Sequence, residues 1–165
     1  MEAAVYCLKG HYIGLSNEVI RGRSWHDTKI LLENPREPQQ LPRFCTKCGA
    51  MNISGCQHCQ TTIEAQYPGV IPAYCGTCGK PFPWTETALS AAKAYTDEQE
   101  ALNAEEKLAL KGTFDDLTSD TARTPVAATR FNKLIMKIGP AAGDALKQIM
   151  VTVATATAKK YMGLP

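Results

Sequence analysis

The pattern of apolar and polar positions changes character near Thr85. Upstream, apolar residues fall in short groups broken by glycine and proline, as in short strands joined by turns. Residues 1–13 (MEAAVYCLKGHYI) predict a short strand, a tight turn at Lys9-Gly10 and a strand restart. Within residues 14–43, Ser24-Trp25-His26-Asp27 and the run NPREPQQLPR predict an insertion with a helical turn and an extended loop. Pro35, Pro38 and Pro42 argue against a continuous helix there. The fifteen residues between Cys59 and Cys75 are enough for a hairpin bearing Ile63, Tyr67, Val70 and Ile71. Pro81-Phe82-Pro83-Trp84 stiffens the exit, with Phe82 and Trp84 expected as core residues of the junction.

Downstream the spacing is helical. Thr85 is placed to cap a helix running to about Leu102, with Ala88, Leu89, Ala92 and Tyr95 on one face. Asn103-Ala-Glu-Glu106 has the spacing of a capping box for a short helix through Leu110 that ends at Gly112. Phe114-Asp-Asp-Leu117 then reads as a loop with two apolar anchors. Thr124-Pro125 opens the next helix, with a capping side chain and then proline at the first helical position. In it Ala127, Phe131, Leu134, Ile135 and Ile138 recur at i, i+4, i+7, i+8 and i+11. Gly139-Pro140 breaks the chain. A final helix over roughly 141–161 is expected to bury Leu146, Ile149, Met150, Val153 and Tyr161 and to stop at Gly163.

The fold class expected is a small metal-stabilised β module of tandem zinc ribbons over residues 1–84, followed by an all-α domain of about four helices over residues 85–165. At 165 residues the chain suits one ordinary domain or two small ones. A net charge of +2 excludes a polycation that seeks nucleic acid indiscriminately. The charge is unevenly spread, however. Residues 85–120 carry three basic and nine acidic side chains, and residues 121–165 carry seven basic and one acidic. These two segments are electrostatically complementary. The start of the chain lacks a basic region followed by an apolar core, so no signal peptide is expected. No window approaches the length of apolar sequence that a membrane span requires.

The cysteines carry the chemistry. Six of the seven form three Cys-x-x-Cys pairs, Cys45/Cys48, Cys56/Cys59 and Cys75/Cys78, and Cys7 is followed four residues later by His11. Seven thiolates and one imidazole make eight donors, enough for two four-coordinate zinc ions. An odd cysteine count and no export signal favour a reducing cytoplasm over a secreted disulfide scaffold. Cys45-x-x-Cys48-Gly49 and Cys75-x-x-Cys78-Gly79 have the form of zinc knuckles, in which a tight turn presents two sulfurs and the glycine accepts positive φ. In the middle pair Gln60 takes the place of that glycine. The favoured grouping is sequential: Cys7, His11, Cys45 and Cys48 about one ion, Cys56, Cys59, Cys75 and Cys78 about the other. The alternative joins Cys45, Cys48, Cys56 and Cys59, leaving Cys7, His11, Cys75 and Cys78. His26 stands in reserve should His11 not bind, and His58, inside a knuckle, is expected to face solvent. Three clustered pairs with glycine knuckles argue against a redox dithiol, and the His-containing knuckle arrangement favours two structural zinc ions over an iron–sulfur cluster.

Outside the cysteines no Ser/His/Asp set, phosphate loop or paired-carboxylate motif is present. Asp115-Asp116 with Asp120 reads as a solvated acidic loop rather than a cation site. Arg130, Lys133 and Lys137 line one helical face opposite the apolar stripe and are the candidate nucleic-acid contacts. The same side chains can instead pair with the acidic segment or keep the helix soluble.

Several segments together resemble a bacterial family of zinc-ribbon proteins with a helical tail, a domain of unknown function. They are Cys7-Leu-Lys-Gly-His11, Phe44-Cys45-Thr-Lys-Cys48-Gly49, Cys75-Gly-Thr-Cys78-Gly79-Lys-Pro-Phe-Pro-Trp84-Thr-Glu, Asp120-Thr-Ala-Arg-Thr-Pro125 and Thr157-Ala-Lys-Lys160. The resemblance covers most of the chain and is weakest over residues 14–43. The chain departs from it at Cys56-Gln-His-Cys59, where a proline commonly follows the first cysteine of such knuckles. The resemblance implies a bacterial cytoplasmic protein with His11 as a ligand, and it implies no activity. The role expected is a non-enzymatic adaptor or regulatory module that binds another protein. Nucleic-acid binding through the basic 121–165 helices is the alternative, and an accessory subunit of an enzyme complex the next.

Overall fold

The computed structural model describes residues 3–16, 41–64 and 71–164, and the structural statements that follow concern these. Most of the insertion expected over 14–43, with His26, lies outside the described residues, as do Tyr67 and Val70. The chain divides into two compact units, Met1–Trp84 and Thr85–Pro165.

The first unit is built on a three-stranded antiparallel sheet. Strand β1 (Ala3–Cys7) lies between β2 (Tyr12–Ser16) and β3 (Asn52–Ile53). Both neighbours hydrogen-bond to β1, and every one of its side chains is buried, as befits the central strand of so small a sheet. The register pairs Ala3 with Ser16, Ala4 with Leu15 and Val5 with Gly14, then slips between Val5 and Tyr6 so that Tyr6 faces Tyr12. That bulge ends the hairpin at the Cys7–His11 turn. On its other edge β1 pairs Tyr6 with Ile53 and Cys7 with Asn52. Further back, the Ala4 N–H donates to the Ile63 carbonyl at 2.8 Å, and Ala3 bridges to Glu64. One strand thus gathers segments from before and after the middle cysteine pair.

An aromatic cluster closes this unit. Phe82 stacks on Trp84 with ring centroids 4.7 Å apart, and Tyr6 tilts against Trp84 at 5.2 Å. The Trp84 indole N–H donates to the Pro72 carbonyl at 2.8 Å, satisfying the polar atom of a buried ring.

The second unit is helical, with five helices among the described residues where about four were expected. They are α1 (Pro83–Asp97), α2 (Ala104–Leu117), α3 (Thr124–Ile135), α4 (Pro140–Val151) and α5 (Ala156–Met162). Helix α3 is the hub, packing against α2, α4 and α5, and its Phe131 meets Phe114 edge-to-face at 6.3 Å.

Several boundaries differ from the sequence reading, each for a physical reason. Helix α1 starts at Pro83, two residues before the cap expected at Thr85, and ends at Asp97 rather than near Leu102. Proline's fixed φ suits the first helical position. The capping box forms as expected, with the Glu106 N–H donating to Asn103 Oδ1 at 2.9 Å and the Asn103 N–H to Glu106 Oε2 at 3.1 Å. The helix it opens then runs through Gly112, so Phe114–Leu117 is helix and not loop. Leu110, Thr113, Phe114 and Leu117 form a buried stripe at helical spacing. Burying three large apolar side chains outweighs the roughly 1 kcal/mol cost of an internal glycine.

Thr124 does not cap α3. Its hydroxyl donates to the Ser119 carbonyl at 2.6 Å and accepts from the Thr121 N–H at 2.9 Å, bracing the preceding turn instead. Helix α3 ends at Ile135, short of Ile138. The single final helix expected over 141–161 is two helices. A β-branched run through Val151, Thr152 and Val153 weakens the helix, and Thr155 caps a new one by accepting from the Ala158 N–H at 3.1 Å. The Thr155 N–H also donates to the Leu117 carbonyl at 3.0 Å, fixing the break to α2. Tyr161, expected in the core, is half exposed. Gly163 stops α5 in the left-handed conformation, with φ 70°.

Candidate metal centres

Three hairpins repeat one hydrogen-bond pattern. The N–H of the first cysteine donates to the carbonyl two residues past the second: Cys45 to Ala50, Cys56 to Thr61 and Cys75 to Lys80, each at 2.8 Å. The residue after the second cysteine donates back to the carbonyl of the first: Gly49 to Cys45 at 2.8 Å, Gln60 to Cys56 at 2.9 Å and Gly79 to Cys75 at 2.9 Å. Flanking bridges pair Phe44 with Met51, Gly55 with Thr62 and Tyr74 with Pro81. The reversal requires positive φ at its last position, which is 68° at Gly49, 61° at Gln60 and 69° at Gly79. Gln60 is the one non-glycine residue with positive φ among the described residues.

A fourth turn, between β1 and β2, presents Cys7 and His11. The Cys7 N–H donates to the His11 carbonyl at 3.0 Å, and Gly10 donates to the Cys7 carbonyl at 2.8 Å. Gly10 has φ 83°, and a Cβ there would lie 3.0 Å from Trp84 Cβ. Glycine is therefore required twice over, by conformation and by the tryptophan backing the turn.

The four turns converge in pairs. Cys7, His11, Cys45 and Cys48 form one group and Cys56, Cys59, Cys75 and Cys78 the other, the donor atoms of each lying within 4.8 Å of one another. In the first, Cys7 Sγ is 3.7 Å from Cys48 Sγ, and His11 Nδ1 is 3.5 Å from Cys7 Sγ and 3.6 Å from Cys45 Sγ. In the second, Cys56 lies 3.7 Å from Cys78 and Cys59 3.7 Å from Cys75. These separations are far beyond a disulfide bond, and all seven cysteines are free. His58 is exposed.

The sulfurs differ in acidity. Burial pushes the Cys45 thiol up, but the backbone N–H groups of Lys47 and Cys48, with the side chains of Cys48 and His11, bring it down to about 6. The hydroxyl and backbone N–H of Thr61 draw Cys59 down to about 6. Backbone N–H groups of Cys78 and Thr77 lower Cys75. Cys78 moves the other way: against the Lys80 N–H, burial and the neighbouring Cys59, Cys56 and Cys75 push it up to about 12. Cys48 is likewise raised, by burial, Cys45 and Cys7, against the Ala50 N–H. In each group, then, crowding holds a proton on one sulfur while backbone dipoles favour the thiolate on another. A divalent cation at the centre relieves that repulsion, so each group can hold a metal ion. Thr61 is the contributor that the sequence reading did not single out, and its position two residues past Cys59 is the only signal for it.

Arg130, Lys133 and Lys137 are all exposed on α3 and the turn after it. Lys137 forms an ion pair with Glu106, and Arg123 pairs with Asp116 at 3.4 Å, so acidic and basic segments do attract each other within this unit. Arg130 and Lys133 have no ion pair among the described residues. Asp115 and Asp116 sit on α2, paired with Lys93 and Arg123, and so do not form the solvated loop expected.

Fold and site together define a chain in which paired Cys/His groups, set in short hairpins around a small antiparallel sheet, precede a helical unit. Residues 2–162 match a bacterial family described as "Uncharacterized protein conserved in bacteria (DUF2321)", and the chain belongs to that family. No curated protein and no solved structure matches it. No helix among the described residues is long and apolar enough to cross a membrane.

Proposed function

We propose that the chain is a zinc-built, non-enzymatic adaptor of the cytoplasm that binds another protein. The observation that supports this reading is the closure of both donor groups, four donors in each, which together use all seven cysteines and His11. A regular tetrahedron of sulfurs about zinc at ~2.3 Å has edges of ~3.8 Å, and replacing one sulfur by nitrogen at ~2.05 Å shortens those edges to ~3.6 Å. The sulfur pairs at 3.7 Å and the sulfur–nitrogen pairs at 3.5 and 3.6 Å fit one ion per group. Such sites are structural: a catalytic zinc keeps a position for water or substrate, and four protein donors fill it. Two zinc ribbons would supply the stability that a sheet of three short strands cannot. Free thiols in every cysteine fit a reducing compartment.

With catalysis at the metals set aside, recognition is the remaining use for the exposed surface. Phe44 and Met51, bridged across the first knuckle, are 57% and 48% exposed. Paired exposed apolar side chains of this kind serve protein contacts better than phosphate contacts. The test presents the immobilised, zinc-loaded chain with soluble protein, DNA and RNA of a bacterial extract. Stoichiometric retention of a protein through physiological salt, without nucleic acid, is expected. Retention of nucleic acid that fades as salt rises would contradict the reading.

A further inference from the structure

Helices α2 and α3 leave a groove of about 690 Å³ between them, lined by Ala109, Val126, Leu134, Arg130, Lys133 and Lys137. Its apolar part is aliphatic, and Val126 is 60% exposed although it stands in the first turn of the hub helix. Its cations recur at helical intervals along α3 and just beyond, on the same face as Val126, and Leu134 and Ala109 complete the apolar strip along one side. Two of the three, Arg130 and Lys133, have no ion pair among the described residues, whereas Lys137 is held by Glu106.

We infer that this groove is a docking site for an amphipathic helix of a partner protein whose apolar stripe is flanked by glutamate or aspartate. The apolar strip takes the stripe, and Arg130 and Lys133 meet the carboxylates, the helix-in-groove mode of recognition. Val126 to Leu134 spans ~12 Å of the α3 axis, so the complementary segment is at least about two helical turns long. Charge selects this occupant: a lysine-flanked helix would set like charges against Arg130 and Lys133. A nucleic-acid strand fits less well. None of the lining residues is aromatic for base stacking, and the Glu106 carboxylate at the rim opposes a continuous phosphate chain while tolerating spaced carboxylates. The inference rests on the protein-binding reading, but the two fail separately, because the experiment below reads only the groove.

The experiment titrates the zinc-loaded full chain, followed by amide NMR, with two synthetic helices of one leucine stripe, flanked by glutamate in one and by lysine in the other. A short duplex DNA is the third probe. The glutamate helix should shift the amides of Ala109, Val126, Thr129, Arg130 and Lys133, with the lysine helix at least about tenfold weaker. The double reversal Arg130→Glu with Lys133→Glu should invert that preference. Val126→Asp should weaken the glutamate helix by about tenfold or more while leaving amides of the Met1–Trp84 unit unmoved. All three positions are exposed, so an unchanged spectrum away from the groove confirms that the variants fold. Equal response to both helices, response to neither, or groove shifts with the DNA alone would overturn the inference.

Discussion

At the scale of single residues, the first donor group depends on one imidazole and one glycine. On the proposed reading His11 is the eighth donor, so His11→Ala should lower bound zinc from two ions per chain to one, and His11→Cys should restore two, by native mass spectrometry. Gly10→Ala should cost about 3 kcal/mol, since it places a β-carbon both in the left-handed region and against Trp84. Gln60 offers the opposite opportunity. It holds φ 61° where the sister knuckles use glycine, and Gln60→Gly should raise stability by about 0.5–1 kcal/mol in chemical denaturation. No stabilisation would mean that the Gln60 side chain earns its place by another contact. That strained position was legible as the missing glycine after Cys59; the acidifying hydroxyl of Thr61 was not, because it depends on how the hairpin returns past the sulfur.

Among the elements, the cysteine hairpins were the most legible and the helix ends the least. Cys-x-x-Cys-Gly encodes its own turn, with cysteine, carbonyl and glycine within a few residues of one another, so local sequence suffices. The capping box at Asn103 was readable for the same reason. Helix ends set by tertiary contacts were not. Gly112 looked like a stop, but the stripe of Leu110, Phe114 and Leu117 carries α2 past it, and that stripe has value only because α3 is there to receive it. The break between α4 and α5 is fixed by the hydrogen bond from Thr155 to Leu117, 38 positions away in sequence. Thr155 makes the capping bond there, so Thr155→Ala should cost about 1 kcal/mol, measured by thermal or urea unfolding. A cost near zero would place the stop of α4 in its β-branched end alone.

The whole molecule presents two units with different sources of stability. The helical unit has a conventional apolar core of Phe114, Phe131, Leu110, Leu117, Leu146 and Met150, all fully buried. The Met1–Trp84 unit has a three-stranded sheet and, on the proposed account, two metal ions. A chelator should therefore abolish amide protection in β1 while leaving most of the helical circular dichroism, and joint collapse of both signals would contradict this division. Acid should act on the same unit. Cys48 is raised and Cys78 stands at about 12, so both keep protons at neutral pH that a metal must displace. Binding then releases protons, and affinity falls on acidification by about tenfold per pH unit for each proton displaced. Zinc-binding isotherms at several pH values check the sign: affinity that strengthened towards acid would refute it.

On the proposed reading, each Cys/His group closes around one zinc ion with no position to spare. Zinc-edge X-ray absorption on the full chain, with metal counted in the same sample, reads that shell. Two zinc ions per chain are expected, with a mean shell of sulfur at ~2.3 Å, a minor nitrogen component at ~2.0 Å and no oxygen ligand. A water or carboxylate oxygen in the shell, a single ion, or iron in place of zinc would contradict it.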